Sequence, residues 1–466
     1  MKPRLPFCFL PVAAVLLATT LHAADGTLPA DSEVRELLRQ RIDVEKRGVG
    51  VVVGLVEGPK CRAVGYGATR KEGGQEVNGG TVFEIGSVTK VFTNLLLTDM
   101  IRKGEVKLDD PVARYLPASV KMPARNGRQI TLLDLATHRS GLPRMPDNFH
   151  PADPANPYAD YTPEQMYAFL SGHELTRDIG SKMEYSNLGV GLLGHALALR
   201  AGKPYEDLVV ERICQPLGMT HTRITLSPEM RERLAEGHDE QLAPARNWDI
   251  ATLSGAGALR SDVDDLMKFV VAELAISVAT PLTPAMHDAL AYRNGTNSQK
   301  IDIGLGWFID KTEDPPVYWH NGATGGYHSF VGFCSARKTG VVVLSNTALD
   351  IDDIGLHLLD PRRALTPPPP PPKVRTAVSI KPEVADRYLG RYQLGSNLIL
   401  VFSREGDRYF LAPPGEKDEM FPESDTDFFS KSFDGQVTFI QDADGRWNSL
   451  VLHQGGIPDQ SAPRVP

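Results

Sequence analysis

Residues 83–93 read FEIGSVTKVFT, from Phe83 to Thr93, and the helix that this stretch opens governs the reading of everything around it. Apolar residues continue through Leu95, Leu96 and Met100, and Gly104 supplies a stop, so the spacing predicts a helix beginning at Ser87. Within Ser87-Val88-Thr89-Lys90, Lys90 lies one turn beyond Ser87 on the same face, with its amine in reach of the hydroxyl. A serine hydroxyl is a poor nucleophile until a base takes its proton. A lysine can do so only where desolvation or neighbouring cations keep it neutral. The free N–H groups and positive potential of a helix N-terminus suit a developing oxyanion.

Two further motifs extend this candidate site. In Tyr185-Ser186-Asn187, residues i and i+2 of an extended segment point the same way, one for proton transfer and one as an amide donor and acceptor. In His320-Asn321-Gly322, within WHNGATGGY, the glycines let a substrate lie against strand backbone, and His320 offers charge or a hydrogen bond. The same patterns recur at Ser335–Lys338, Tyr292–Asn294 and Lys338-Thr339-Gly340. Context separates them: Ser335 opens no helix, Tyr292–Asn294 falls in a Gly/Asn-rich loop, and Lys338–Gly340 joins two expected strands, Tyr327–Cys334 and Val341–Leu344. His138 reads as a hydrogen-bonded turn residue, and Trp319 as either cleft lining or packing.

Taken with ITLLDLATHRSGLP, GSKMEYSNLGVGLLGHAL, CQPLGMTHT, HNGATGGYHSFVGF and VVVLSN, all in order, these motifs make residues 35–350 resemble the serine β-lactamase and DD-peptidase superfamily, its class C branch above all. The resemblance implies an α/β fold: an antiparallel sheet flanked by helices, plus an all-helical region. It also implies that Ser87 is acylated, that Lys90 and Tyr185 share proton transfer, and that Asn187 binds the substrate amide. The oxyanion is implied to sit between the backbone N–H groups of Ser87 and Ala323. One departure stands out. His320-Asn321-Gly322 occupies the place of the usual K-T-G, as it does in D-aminopeptidase-like members, so a permanent lysine charge gives way to a side chain that titrates near neutrality. His320, Asn321, Gly322 and Ala323 are expected to contact substrate, with His320 either a cation for a carboxylate or a neutral donor. The implied reaction is amide or ester cleavage of a β-lactam, D-Ala-D-Ala-like peptide, D-amino-acid amide or short ester, with no cofactor. The alternative is a penicillin-binding sensor, acylated at Ser87 and never released, that binds cell wall.

The 466-residue chain carries 50 basic and 58 acidic side chains, and this net charge of −8 argues against a nucleic-acid partner. A composition of 41% hydrophobic and 23% charged residues excludes a wholly disordered chain. Lys2, Arg4 and an apolar run ending at Ala23 read as a signal peptide, residues 1–23, cleaved near Ala23, which implies a periplasmic or secreted chain with no membrane span after cleavage. Cys61, Cys214 and Cys334 then remain, an odd number, expected to be small buried hydrophobes. No G-x-S-x-G elbow or H-E-x-x-H pair occurs, and the histidines suggest no metal cluster. The hydrolase domain is expected over 24–362 and a proline-rich linker over 363–378, its six prolines Pro367–Pro372 spanning about 19 Å as polyproline II. A small all-β, lipocalin-like domain is expected over 379–466, from hairpin signals at Glu405–Asp407 and Asp442–Gly445 and core aromatics Tyr388, Tyr392 and Phe410. Near the start, a helix over 31–42 with Asp31 or Ser32 as N-cap should precede a strand pair at Val49–Val56 and Ala63–Ala68.

Overall fold

The computed structural model describes residues 28–466 except 276–279, 297, 313, 369–374, 396–397, 414–416, 432–434 and 455–456. The expected signal peptide and most of the proline run lie outside the described residues. The chain divides into two compact units, Met1–Thr366 and Pro367–Pro466.

The first unit is built on an eight-stranded antiparallel sheet. Its strands are β1 (Gly50–Glu57), β2 (Lys60–Gly67), β3 (Asn294–Gly295), β4 (Ile301–Ile303), β5 (Phe308–Asp310), β6 (Val317–Ala323), β7 (His328–Cys334) and β8 (Thr339–Ser345), in the order β2-β1-β8-β7-β6-β5-β4-β3. The valine-rich β1 shows no polar alternation because both of its faces are covered. Val51, Val53 and Leu55 pack on one side with Val34 and Leu38 of α1 (Asp31–Arg39), while Val52 and Val56 join the larger core on the other. Neither Asp31 nor Ser32 caps α1: Ala30 precedes the first turn, and its N–H donates to the Glu33 carboxylate at 2.9 Å.

The larger core is centred on α2 (Thr89–Arg102), buried on every side from Thr89 to Met100. Around it stand α3 (Leu132–Ala136), α4 (Asn187–Ala201) and α5 (Val263–Glu273); α6 (Asp352–Leu359) packs on the opposite face of the sheet with α1. Helix α5 presses on the sheet where side chains are missing. A Cβ at Gly54 would stand 2.6 Å from Val263 Cγ1, and one at Gly340 2.2 Å from Val270 Cγ1. Cys214 and Cys334 are buried free thiols, but Cys61 is exposed, on β2 at the sheet edge, contrary to the expectation that all three are buried.

The second unit is a closed barrel of β9 (Gly390–Leu394), β10 (Leu398–Glu405), β11 (Arg408–Ala412), β12 (Glu419–Pro422), β13 (Asp427–Ser430), β14 (Gly435–Gln441), β15 (Trp447–Gln454) and β16 (Ile457–Val465). Both expected hairpins are present, β10–β11 and β14–β15. Rings fill the interior: Tyr388 stacks on Phe439 at 4.2 Å, and Phe402 meets Phe428 and Phe439 edge-on. Tyr388 and Tyr392 join this core, but Phe410 does not. Side chains alternate along β11, so Tyr409 and Leu411 take the inner face, and Phe410 lies beneath Arg408 and Lys417.

Candidate active site

Ser87 sits in a 3-10 turn, Gly86–Val88, two residues ahead of the α-helix that the sequence pattern starts at Ser87 itself. Gly86 has φ +45°, and the Val88 N–H donates to the Ile85 carbonyl at 3.1 Å, which tightens the turn. Strand β6 runs hard against it. A Cβ on Gly322 would stand 2.1 Å from the Ile85 carbonyl oxygen and 2.7 Å from the Ser87 nitrogen, and one on Gly86 2.9 Å from the Ala323 nitrogen. The Ser329 hydroxyl donates to the Ile85 carbonyl at 2.8 Å, tying the turn to β7. The backbones of Ser87 and Ala323 thereby border one cavity of about 550 Å3.

Lys90 is almost wholly buried, and its Nζ lies 2.8 Å from Ser87 Oγ, 3.0 Å from Asn187 Oδ1 and 2.6 Å from the Ala256 carbonyl oxygen. Among the described residues, no carboxylate pairs with it. Burial, reinforced by the charge of Arg144, holds its pKa well below the usual lysine range. A neutral amine has two N–H donors and one lone pair. Two carbonyl oxygens take the donors, and the lone pair is left for the Ser87 hydroxyl proton.

Tyr185 completes the pocket, lining the same cavity as Ser87 with its ring 4.8 Å from Lys90 Nζ. Burial outweighs the lowering effects of Ser87 and Arg144 and pushes the phenol up to about 12, so it is a proton donor at neutral pH. The His138 ring stacks on Tyr185 at 4.4 Å. His138 has φ +57°, and its Nδ1 accepts the Ser186 N–H at 3.1 Å, so the turn histidine shapes the segment that carries the phenol. Ser186 caps α4 by accepting the Gly189 N–H at 2.8 Å, and this sets Asn187 at the first helical position, facing Lys90.

His320 corrects an expectation. It is 3% exposed, does not line the cavity, and lies 5.2 Å from the Phe308 ring and 6.4 Å from that of Tyr185. Burial and then the neighbouring Lys90 push its pKa down to about 3, so it is not the cation that titrates near neutrality. Its Nδ1 lies 2.6 Å from the Asn321 carbonyl oxygen, which can only accept, so the neutral ring's one proton is held there. Asn321 borders the cavity, but its amide donates to Asp352 at 2.5 Å, and Asp352 also meets His328 Nε2 at 3.2 Å. Trp319 both lines the cavity and stacks on Phe330. Of Lys338-Thr339-Gly340, Lys338 closes the β7–β8 turn at φ +51°, and Thr339 and Gly340 open β8.

Arg144 escaped the sequence reading. It lines the cavity, with its guanidinium carbon 5.3 Å from the Tyr185 ring centroid. Its one signal was its place after SGLP, in a motif read only for its histidine. Tyr158 and Trp248, also unforeseen, add aromatic walls, and the Asn187 amide donates to the Tyr158 hydroxyl at 3.4 Å. Two histidine–aspartate groups, His221 with Asp262 and Asp265 and His328 with Asp350 and Asp352, bring ligand-type atoms within 4.8 Å. The sequence offers no spacing that predicts them. Internal contacts engage both, such as His221 Nδ1 to Asp262 at 2.8 Å.

The family model described as Beta-lactamase matches residues 32–357. The chain is 30% identical over 358 residues to the D-alanyl-D-alanine-carboxypeptidase/endopeptidase AmpH of Escherichia coli (strain K12), covering 74% of this chain and 91% of that protein. It is 27% identical to a β-lactamase of Pseudomonas fluorescens, over 70% of this chain and 94% of the relative. Among solved structures, a β-lactamase/D-alanine carboxypeptidase from Yersinia pestis superposes with a TM-score of 0.60 at 25% identity, covering 68% of this chain and 92% of that one. A class C β-lactamase shares the fold with a TM-score of 0.62 at 23% identity, over 71% of this chain and 98% of that one. The chain belongs to the β-lactamase family and is a serine hydrolase.

Proposed function

We propose that the chain cleaves amide or ester bonds through an acyl-enzyme on Ser87. Neutral Lys90 takes the Ser87 proton as Oγ attacks the carbonyl carbon. The backbone N–H groups of Ser87 and Ala323 receive the oxyanion, and Asn187 orients the substrate amide. Tyr185, protonated, gives its proton to the leaving amine or alcohol. Water then attacks the ester carbonyl and gives a proton to the Tyr185 phenolate, and the acid product leaves as the Lys90 ammonium returns the proton to Ser87. The observation that carries this reading is the contact of 2.8 Å between the buried Lys90 amine and Ser87 Oγ, with no carboxylate among the described residues to hold the amine charged.

Substrates in this reading are β-lactams and D-alanyl peptides, the classes named for the relatives, and short esters. The chain acts in the periplasm or outside the cell after cleavage near Ala23. Residues 24–362 form the hydrolase domain, 363–378 the linker and 379–466 an accessory barrel. Among the described residues, no helix is long and apolar enough to cross a membrane. The test is turnover of nitrocefin, p-nitrophenyl butyrate and a D-Ala-D-Ala peptide by the purified chain and by Ser87→Ala. Sustained turnover that Ser87→Ala abolishes supports the proposal. Retained turnover moves the nucleophile elsewhere, and a single burst leaving a stable mass adduct marks an acylated sensor instead.

A further inference from the structure

We infer that Arg144 is the carboxylate-recognition residue of this site, and that the preferred substrates carry that carboxylate on the leaving group. The inference rests on the acyl-transfer reading above. The third motif normally contributes a lysine, and here that position holds a buried histidine that is neutral above about pH 3. Lys90 is committed to Ser87, Asn187 and Ala256. Among the described residues lining the cavity, Arg144 is the only charged side chain, and there is no carboxylate.

The guanidinium is also available. Its side chain makes no hydrogen bond or ion pair with any described residue, and it is exposed on the cavity side. Its backbone is fixed, however: the Arg144 carbonyl accepts the N–H groups of Asn187 at 3.0 Å and Leu188 at 3.2 Å, which anchors it to the first turn of α4. An anchored arginine with an uncommitted planar fork matches a carboxylate with two parallel N–H···O bonds.

Position then selects the half of the substrate. Arg144 sits over the Tyr185 ring, and Tyr185 is the donor to the departing atom. A group within reach of Arg144 therefore belongs to the leaving amine or alcohol. The substrate class is an ester or amide, strained cyclic amides included, with a carboxylate close to its leaving nitrogen or oxygen.

The test uses two butyrate esters, of 3-hydroxybenzoate and of 3-hydroxybenzamide, which differ in one charge. The ratio of their kcat/KM values is measured for the full chain, Arg144→Gln and Arg144→Lys. Effects of Arg144 on Lys90 and Tyr185 in the free enzyme act on both esters alike and cancel in the ratio, which leaves the part that depends on substrate charge. The unaltered chain is expected to favour the benzoate. In Arg144→Gln the ratio should fall about 10- to 100-fold, as for a lost charge-assisted hydrogen bond, with Arg144→Lys between. A full chain without the preference, or a ratio that stays within about twofold in Arg144→Gln, overturns the inference. Ser87→Ala separates the two failures. If it still cleaves the esters, the acyl-transfer reading falls and this inference with it; if it is inactive while the ratio is unmoved, only the assignment of Arg144 falls.

Discussion

Replacing Gly322 by alanine tests the site where its tolerance is smallest. The added methyl would stand 2.1 Å from the Ile85 carbonyl oxygen, 2.7 Å from Ser87 nitrogen and 2.7 Å from Ser329 Oγ. An ordinary contact begins at 3.4 Å, so β6 and the Ser87 turn must part by roughly 1 Å. Two of the three opposing atoms are backbone and cannot swing aside. Overpacking of this kind costs about 1–3 kcal/mol of stability, which leaves a fold of this size standing. The catalytic cost is larger, because the two proposed oxyanion donors lie on the two backbones being separated. A misplacement of about 1 Å, or loss of one such donor, lowers kcat by about 10²- to 10³-fold. The assay is steady-state ester hydrolysis beside a thermal melt. The double variant Gly322→Ala with Ser329→Ala is informative: it removes the hydroxyl clash, leaves the Ile85 clash, and should not recover activity. A folded Gly322→Ala protein with kcat/KM within about threefold of the parent would refute the placement of the oxyanion between Ser87 and Ala323.

The ester kcat/KM should rise with pH through the lowered Lys90 pKa and then stay level, without a fall before the Tyr185 phenol ionises near about 12. Arg144→Gln should move that acid limb upward, because the guanidinium is one of the two influences that lower the Lys90 pKa; an unmoved limb in a pH-rate profile would count against Lys90 as the base. KM for an anionic ester should be flat from about pH 5.5 to 8.5, since His320 stays neutral there, and a rise through that window would restore the cationic histidine. Glu273 ends α5 buried, with Oε2 unpaired and its pKa raised to about 8 by burial alone. The stability it permits is full below the unfolded value near 4.5 and is lost as pH rises through about 8, so Glu273→Gln should raise Tm at pH 8, by the equivalent of a few kcal/mol at most; an unchanged melt would refute the burial.

What the sequence disclosed was local. Ser87 and Lys90 are three residues apart, and a tight turn followed by a helix brings them together with little help from the rest of the chain. The apolar run of β1 and the Gly-containing turns of the barrel hairpins likewise carry their structure in neighbouring residues. The decoy triplet Lys338-Thr339-Gly340 was also legible, since each residue has a local structural purpose: Lys338 turns the chain at φ +51°, Thr339 starts β8, and Gly340 makes room for Val270. Charge states were not legible. Whether His320 is a cation depends on Phe308, Tyr185 and Lys90 converging on it from three other segments. Arg144 was missed for the same reason: a charged residue in a loop is ordinarily a solvated one, and only the fold of α4 and the 185–187 segment brings it over the phenol.

The electrostatics of the pocket follow from one constraint. A lysine serves as a base near neutrality only if charging it is unfavourable, and here burial supplies most of that penalty and Arg144 the rest. A second cation at position 320, against the buried amine, would strengthen the penalty but would itself stand desolvated, and a carboxylate brought in to stabilise it would charge Lys90 as well. A neutral histidine packed at a tilt between Phe308 and Tyr185 avoids that conflict. The remaining positive charge is then placed where solvent and substrate reach it, at Arg144, exposed yet near enough to act on Lys90 and Tyr185. An anion bound there would partly cancel its field and make Lys90 more basic as the substrate arrives. Substrate charge and base strength are therefore coupled through a single guanidinium, and the ester pair and the pH profile read the two ends of that coupling separately.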